Sequence, residues 1–218
     1  MTAPPVLLAE TWRPDMDPTG WYMSEKLDGV RAWWDGENFV SRLGNVYAAP
    51  EWFKKGMPKE VLDGELWLGR KQFQKCISIV RRQDMNDEWA NITYFVFDAP
   101  QAGGTFTKRL DHVVKLAYGR NKPDYVEMLP QLVCKSPAHL KERLEAYEQI
   151  GGEGVMLRDP ESLYEEGRSR TLLKVKSFVD AEAEVLRYEP GRGKHRGRMG
   201  ALVVRMNDGT EFSVGTGF

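Results

Sequence analysis

An α+β first part followed by a small all-β second part is the architecture this sequence predicts, and three observations predict it. Strand-like and helix-like runs are interleaved up to about residue 178. After Phe178 the composition shifts and only strand signals remain. Asp-Gly pairs, which favour tight turns, punctuate both parts. The domains are accordingly 1–178 and 179–218, with the boundary near residues 177–182.

Residues 1–20 are rich in Pro and short polar residues, and Val6-Leu7-Leu8-Ala9 reads as one short helix or strand. The apolar runs Trp21 to Ser24, Val30 to Asp35 and Asn38 to Ser41 read as strands. Asp35-Gly36-Glu37-Asn38 makes a hairpin turn between the last two, and Arg42-Leu43-Gly44-Asn45 a further turn. Residues 51–61 read as a short helix, and Val61 to Leu68 as strand, Asp63-Gly64 turn, strand. Phe73, Cys76, Ile77 and Val80 recur at spacings of three and four, which predicts a helix over 71–83.

Ile92 to Phe97 reads as a strand that ends at Asp98-Ala99-Pro100. Thr105 offers an N-cap for a helix over 105–118 with an apolar stripe of Leu110, Val113, Val114 and Ala117. Val126 to Cys134 is strand-like and broken by Pro130. Ser136 caps a third helix that runs to Ile150 and is stopped by Gly151-Gly152. Gly154 to Arg158 and Thr171 to Lys176 read as strands around a basic, glycine-containing loop. The second part reads as strands 183–188, 200–206 and 210–216, with Asn207-Asp208-Gly209 as the last hairpin turn.

Composition bounds the function. With 218 residues and 41% apolar content the chain can bury a real core. Lys plus Arg is 31 and Asp plus Glu is 32, a net charge of −1, so any basic surface is local. Cys76 and Cys134 stand far apart and form neither a disulfide framework nor a metal-ligand spacing; they read as buried free thiols. No apolar run approaches the length of a membrane span, so no membrane partner is expected. No signal peptide is visible, which favours the cytoplasm slightly over a periplasmic protein whose leader has been removed.

The chemistry sits at the ends of predicted strands. Lys26-x-Asp28-Gly29-x-Arg31 places a lysine where an aromatic strand opens into a turn. An amine there can attack phosphorus once deprotonated, and both burial and a neighbouring cation such as Arg31 lower a lysine's pKa. Further along come Ser41-Arg42-x-Gly44-Asn45, Asp63-Gly64-Glu65, Phe95-Val96-Phe97-Asp98, Glu153-Gly154-Val155-Met156 and Lys174-Val175-Lys176. The lysines of Lys-x-Lys on a strand point the same way and can reach one anion. Singly, each segment reads better as something bland: Arg42 as a surface turn residue, Glu65 and Glu153 as solvated strand ends, Phe97 as core, Lys174 and Lys176 as the wet face of an edge strand.

The ordered set resembles the motif series of the covalent nucleotidyltransferases, the superfamily of ATP-dependent DNA ligases, RNA ligases and mRNA-capping guanylyltransferases. The resemblance spans about residues 21–178. Within the superfamily the chain is most similar to the minimal bacterial ATP-dependent DNA ligases of the ligase E type. That resemblance implies an adenylation domain of antiparallel sheets with helices, followed by an OB-fold-like domain. The chain holds about three of the OB-fold's five strands, so this domain is expected to be incomplete at its C-terminus.

It further implies that Lys26 takes AMP from ATP, with Lys174 and Lys176 on the α-phosphate. Arg31 would hold ribose or the nick 5′-phosphate, Arg42 the phosphates of the nucleotide and of DNA, and Glu65 the ribose hydroxyl or the metal. Phe97 would stack on adenine, and Glu153 would bind Mg²⁺, for which Mn²⁺ is a substitute. The expected reaction is the sealing of nicked double-stranded DNA by a monomer, in replication, repair or recombination. The alternatives are an RNA ligase or capping guanylyltransferase, told apart by RNA-end preference or GTP labelling, and a catalytically inactive nucleic-acid-binding module, which binds DNA with no covalent nucleotide. Arg192, Lys194, Arg196 and Arg198, interleaved with glycines and with no acid among them, are read as a DNA-contacting loop.

Overall fold

Two five-stranded sheets facing a common cleft make up most of the molecule. The computed structural model describes residues 2–84, 86–117, 119, 122–177 and 182–215. The chain divides into a unit Met1–Ser177 and a smaller unit Phe178–Phe218. The first contains, in order, β1 Leu7–Thr11, β2 Tyr22–Glu25, β3 Val30–Trp34, β4 Phe39–Val40, α1 Glu51–Lys54, β5 Leu62–Trp67 and α2 Phe73–Arg81. It continues with β6 Thr93–Asp98, α3 Phe106–Ala117, β7 Val126–Met128, β8 Leu132–Val133, α4 Pro137–Gln149, β9 Val155–Arg158 and β10 Gly167–Val175. The second unit holds β11 Ala183–Pro190, β12 Met199–Met206 and β13 Glu211–Val214.

The first sheet has the order β1-β10-β9-β2-β8 and the second β4-β3-β5-β6-β7. Pairing is antiparallel except for β1 with β10 and β6 with β7. Both parallel pairs join strands separated by long stretches of chain, as parallel pairing requires. The N-terminal stretch, open between helix and strand in the sequence, is an edge strand of its sheet.

Each sheet buries one face under helices. Beneath the second sheet, Phe39, Phe53, Leu66, Cys76, Ile79, Val80, Trp89 and Tyr94 form the larger core. Phe53 and Tyr125 stack with ring centroids 4.0 Å apart, and Phe39 meets Tyr94 edge-on at 4.9 Å. Beneath the first sheet, Met23, Leu140, Val155, Leu157, Leu173 and Val175 form the other. α4 covers it, started by the Ser136 side chain, which accepts from the His139 N–H at 3.1 Å. Cys76 and Cys134 are both free and buried. Among the described residues no helix is long and apolar enough to cross a membrane.

Three expectations are corrected. Asp63-Gly64 is not a turn: it lies inside the continuous strand β5, where the register with β6 shifts. A β-carbon at residue 64 would lie 2.5 Å from the Phe95 carbonyl oxygen and 2.6 Å from the Tyr94 ring, so close packing and not turning explains that glycine. Residues 51–61 hold only the single turn α1, which ends before Gly56 in the left-handed region at φ 87°. Val126 to Cys134 is two strands in different sheets: β7 completes the second sheet, Pro130 follows, and β8 joins the first.

In the second unit β11, β12 and β13 form one antiparallel three-stranded sheet, with β11 and β12 each extending beyond the predicted strand. The predicted ends at residues 118 and 216 and most of the predicted boundary, 178–181, lie outside the described residues.

Candidate active site

The cleft between the first unit's two sheets has a volume of about 320 Å³. Ser24, Lys26, Met156, Arg158 and Lys174 line it from the first sheet, and Arg31, Asp63, Glu65 and Phe97 from the second. Glu25, Arg42, Tyr164 and Arg168 also line it.

Lys26 follows directly on β2, and its N–H donates to the Gly154 carbonyl at 2.9 Å. The chain then crosses from one sheet to the other through Asp28-Gly29, which is a crossover and not a hairpin turn. At Gly29 a β-carbon would lie 2.5 Å from the Leu66 carbonyl oxygen and 2.9 Å from Glu65 Cγ, so only glycine lets the crossover pass this close to β5.

Lys26 Nζ forms an ion pair with Glu153, and the other oxygen of the same carboxylate takes Lys176 Nζ. Burial alone would raise the Glu153 carboxyl, but the hydrogen bonds from Lys176 and Lys26 outweigh it and hold the group below the ordinary carboxylate value. Lys174, two residues before Lys176, lines the cleft and has no ion pair among the described residues. Lys26, Lys174, Lys176 and Glu153 are thus gathered at one end of the cleft. Two ammonium groups on one carboxylate leave positive charge over for an anion.

Arg31 does not serve as a free cation beside Lys26. Its Nε and Nη2 donate to Asp63 Oδ1 and Oδ2 at 2.9 and 2.5 Å, and its guanidinium lies 5.2 Å from the centre of the Phe97 ring. Burial works against that charge, yet Asp63 raises the Arg31 pKa overall. Tyr164 secures the same carboxylate: its hydroxyl donates to Asp63 Oδ2 at 2.6 Å and accepts from the Leu7 N–H at 3.2 Å. Phe97 and Arg42 both line the cleft.

Below Phe97 lies a buried cluster that sequence reasoning missed. Arg109 donates to both oxygens of Asp98 at 2.7 and 3.1 Å and to the carbonyls of Gly104 and Ser162. Arg158 approaches the same Asp98 at 3.5 Å, and its Nε has no hydrogen-bond partner among the described residues. Burial, with Arg109 alongside, brings Arg158 down to about 10. No local pattern marks Arg109, Tyr164 or Arg168. Asp63 and Asp98 each stand inside a motif and beside the residue given a role, and a carboxylate in an otherwise apolar strand is the signal that could have found them.

No group of three or more His, Cys, Asp or Glu that could hold a metal occurs among the described residues. Glu153 and Glu65 stand on opposite sheets of the cleft. Magnesium keeps several waters and binds through one or two carboxylates plus phosphate oxygens, so this sparse oxygen set fits an ion that arrives with a nucleotide. In the second unit Arg192, Arg196 and Arg198 are exposed on the loop between β11 and β12, which makes one 3₁₀ turn at Gly193–His195. The Lys194 side chain lies outside the described residues.

Comparison with known proteins gives this geometry a family. The family model of the ATP dependent DNA ligase domain matches residues 6–176, and that of the DNA ligase OB-like domain matches residues 190–218. A DNA ligase of Haemophilus influenzae is 37% identical over 199 residues, covering 91% of this chain and 73% of that protein. A solved structure from a study of DNA binding with a minimal scaffold in Lig E DNA ligases superposes with a TM-score of 0.91 at 40% identity, covering 98% of this chain and 84% of the other. The Chlorella virus DNA ligase-adenylate has the same fold, with a TM-score of 0.68 at 24% identity over 98% of this chain and 84% of that one.

Glu65 yields a test of the cleft's electrostatics. Burial pushes its carboxyl up to about 7 from an ordinary 4.5, against the opposing pull of Arg31 and Lys26. The folded protein therefore holds a proton that the unfolded chain releases. This contribution to stability is full below about pH 4.5 and is lost as pH rises through 7. In metal-free buffer, Glu65→Gln should be more stable than the parent at pH 7.5 by on the order of 1–3 kcal/mol, and the difference should shrink towards pH 5. Urea unfolding followed by tryptophan fluorescence measures it; an identical pH slope in both proteins would show that Glu65 titrates as an ordinary carboxylate.

Proposed function

Because the chain belongs to the ATP-dependent DNA ligase family, we propose that it seals nicks in duplex DNA through AMP carried on Lys26, acting as a monomer. The observation that carries this reading is the meeting of Lys26, Glu153 and Lys176 at the end of the cleft. An amine at a strand end, sharing one carboxylate with a second lysine and open to the cleft, suits attack on a phosphorus. The match to a DNA ligase domain favours this over the RNA ligase, guanylyltransferase and inactive-module alternatives.

In the first step Lys26, deprotonated, attacks the α-phosphorus of ATP. A P–N bond forms, the bond to the β-phosphate oxygen breaks, and pyrophosphate leaves. In the second, an oxygen of the DNA 5′-phosphate takes the adenylyl group and the P–N bond breaks. In the third, the 3′-hydroxyl attacks the 5′-phosphorus, the phosphodiester forms and AMP leaves. Phosphoryl transfer of this kind depends on alignment and charge stabilisation more than on acid–base power.

The residues divide the work accordingly. Lys174 and Lys176 neutralise charge on the α-phosphate. Phe97 offers its ring to adenine, and Glu65 accepts from a ribose hydroxyl. Arg31, held by Asp63, is pre-set to meet ribose or the 5′-phosphate and spends no motion in doing so. Arg42 takes phosphate. Glu153, with Glu65 as a second candidate, would hold Mg²⁺, which would supply positive charge to the phosphates.

Intact-mass measurement after incubation with ATP and Mg²⁺ tests the first step. One added AMP is expected on the parent protein and none on Lys26→Arg, because arginine stays protonated. Labelling of Lys26→Arg would refute the assignment.

The β11–β12 loop tests the DNA half of the proposal. Replacing Arg192, Lys194, Arg196 and Arg198 together by alanine should leave AMP labelling unchanged and weaken nick binding. Each phosphate that is no longer neutralised should flatten the log–log salt dependence by about 0.9. Unchanged affinity and salt slope would make the loop a solvated hairpin tip.

A further inference from the structure

Among the described residues, Lys71 is the one non-glycine residue in the left-handed region, with φ 59°. It lies between β5 and α2, in the segment that follows the strand carrying Glu65. Such a conformation persists only where its surroundings fix it. Here two consecutive cations are sent to two different anchors. Arg70 turns to Glu25, with Nε–Oε1 and Nη2–Oε2 both at 2.8 Å. The Lys71 stem lies over the turn after α4, its Cε 2.9 Å from where a β-carbon on Gly151 would sit.

Three stretches of chain therefore meet at one joint. Glu25 precedes Lys26 directly and also abuts Gly152, with Oε1 3.1 Å from that residue's β-carbon position. Gly151 and Gly152 lead directly into Glu153. Arg70 and Lys71 come from the opposite sheet, five and six residues beyond Glu65. The joint thus ties together the three stretches that carry Lys26, Glu153 and Glu65.

Arg70 is built into its place. Its guanidinium lies 5.9 Å from the Trp67 ring centre, and Trp67 meets Phe95 edge-on at 5.5 Å. The Glu25 side chain is 11% exposed against 34% for Arg70. A lysine at this position would lack the two-pronged fork and the flat stacking face.

We propose that Arg70 is a positioning residue for the nucleophile: by gripping Glu25 from the opposite sheet it sets where Lys26 stands relative to the phosphorus it attacks. The proposal rests on the reading of Lys26 as the nucleophile. Glu25 is the last residue of β2 and Lys26 is the next in the chain, so fixing the Glu25 carboxylate fixes the stretch of backbone from which Lys26 projects. The bond from the Lys26 N–H to Gly154 holds the backbone from the first sheet, and Arg70 supplies the tie to the second. Arg70 does not line the cleft, so truncating it removes no lining side chain, whereas its partner Glu25 does line the cleft. Misplacement by about 1 Å lowers a rate on the order of 100-fold.

Single-turnover self-adenylylation over a range of ATP concentrations tests this on the full chain. The variants are Arg70→Met, Arg70→Lys, Arg70→Glu, Glu25→Arg and the exchanged pair Glu25→Arg/Arg70→Glu. Arg70→Met should lower the maximal rate about 10- to 100-fold, and Arg70→Lys less, with half-saturating ATP changed by less than about threefold. The exchanged pair should recover at least about tenfold over either single reversal.

An unchanged maximal rate in Arg70→Met, a loss confined to half-saturating ATP, or no recovery in the exchanged pair would overturn the proposal. If Arg70→Met does not fold, Arg70→Lys keeps stem and charge and carries the same comparison. Mapping the AMP on the parent protein separates the two failures. A label away from Lys26 refutes the nucleophile and this proposal with it; a label on Lys26 at an unchanged rate refutes the role of Arg70 alone.

Discussion

Like charges must be brought together in this cleft and kept in place before any phosphate arrives, and the fold is arranged around that constraint. Lys26, Lys174, Lys176, Arg31, Arg42, Arg158 and Arg168 all stand in or beside one cavity of about 320 Å³. Unpaired, such a gathering would repel itself. Three carboxylates relieve it for four of them: Glu153 takes Lys26 and Lys176, Asp63 takes Arg31, and Asp98, already held by Arg109, takes Arg158. The pairs differ in depth, and depth decides their character. Asp98 and Arg109 are almost wholly buried, and breaking such a pair costs about 3–5 kcal/mol, so they belong to the scaffold. Glu153 and its two lysines are partly open to solvent, and a polyphosphate can exchange for the carboxylate there at modest cost.

Of these pairs, Asp98 with Arg158 also ties the two sheets to each other. Each sheet closes its own hydrophobic core on its outer face, so the faces turned to the cleft are free to be polar. Polar links then span the gap. Asp63 on one sheet meets Tyr164 from the segment beside the other, and Asp98 meets Arg158 across it. Arg70 and Glu25 do the same at the end where Lys26 stands. A cleft held by directional bonds keeps the separation of its walls, and that separation sets whether a nucleotide between them is aligned for transfer.

Much of this is legible in the sequence, for a physical reason. Strand-end residues with assigned chemistry are local signals: a lysine before Asp-Gly, a glutamate before Gly-Val-Met, a Lys-x-Lys pair. Their order along the chain carries the family, and α2, α3 and α4 follow from apolar spacing and the Ser136 cap. What fails is local grammar applied where tertiary packing decides. Asp63-Gly64 looks like a turn but sits inside β5, because the glycine is there to admit the Tyr94 ring and the Phe95 carbonyl. Asp28-Gly29 is a crossover for the same kind of reason. Arg31 reads as a cation acting on Lys26, because its partner in space, Asp63, is 32 residues away in sequence. The Tyr164–Asp63 bond spans 101 residues and the Arg70–Glu25 pair 45, and no periodicity connects residues at such distances.

The central claim is that Glu153 holds the cations of the ligand-free cleft until phosphate replaces it. A crystal structure of this chain after reaction with ATP tests that most directly. The account predicts AMP bonded to Lys26 Nζ, with Lys176 moved from Glu153 onto the phosphate and Arg31 still on Asp63. AMP bound in the cleft while Lys26 and Lys176 both remain on Glu153 would contradict it.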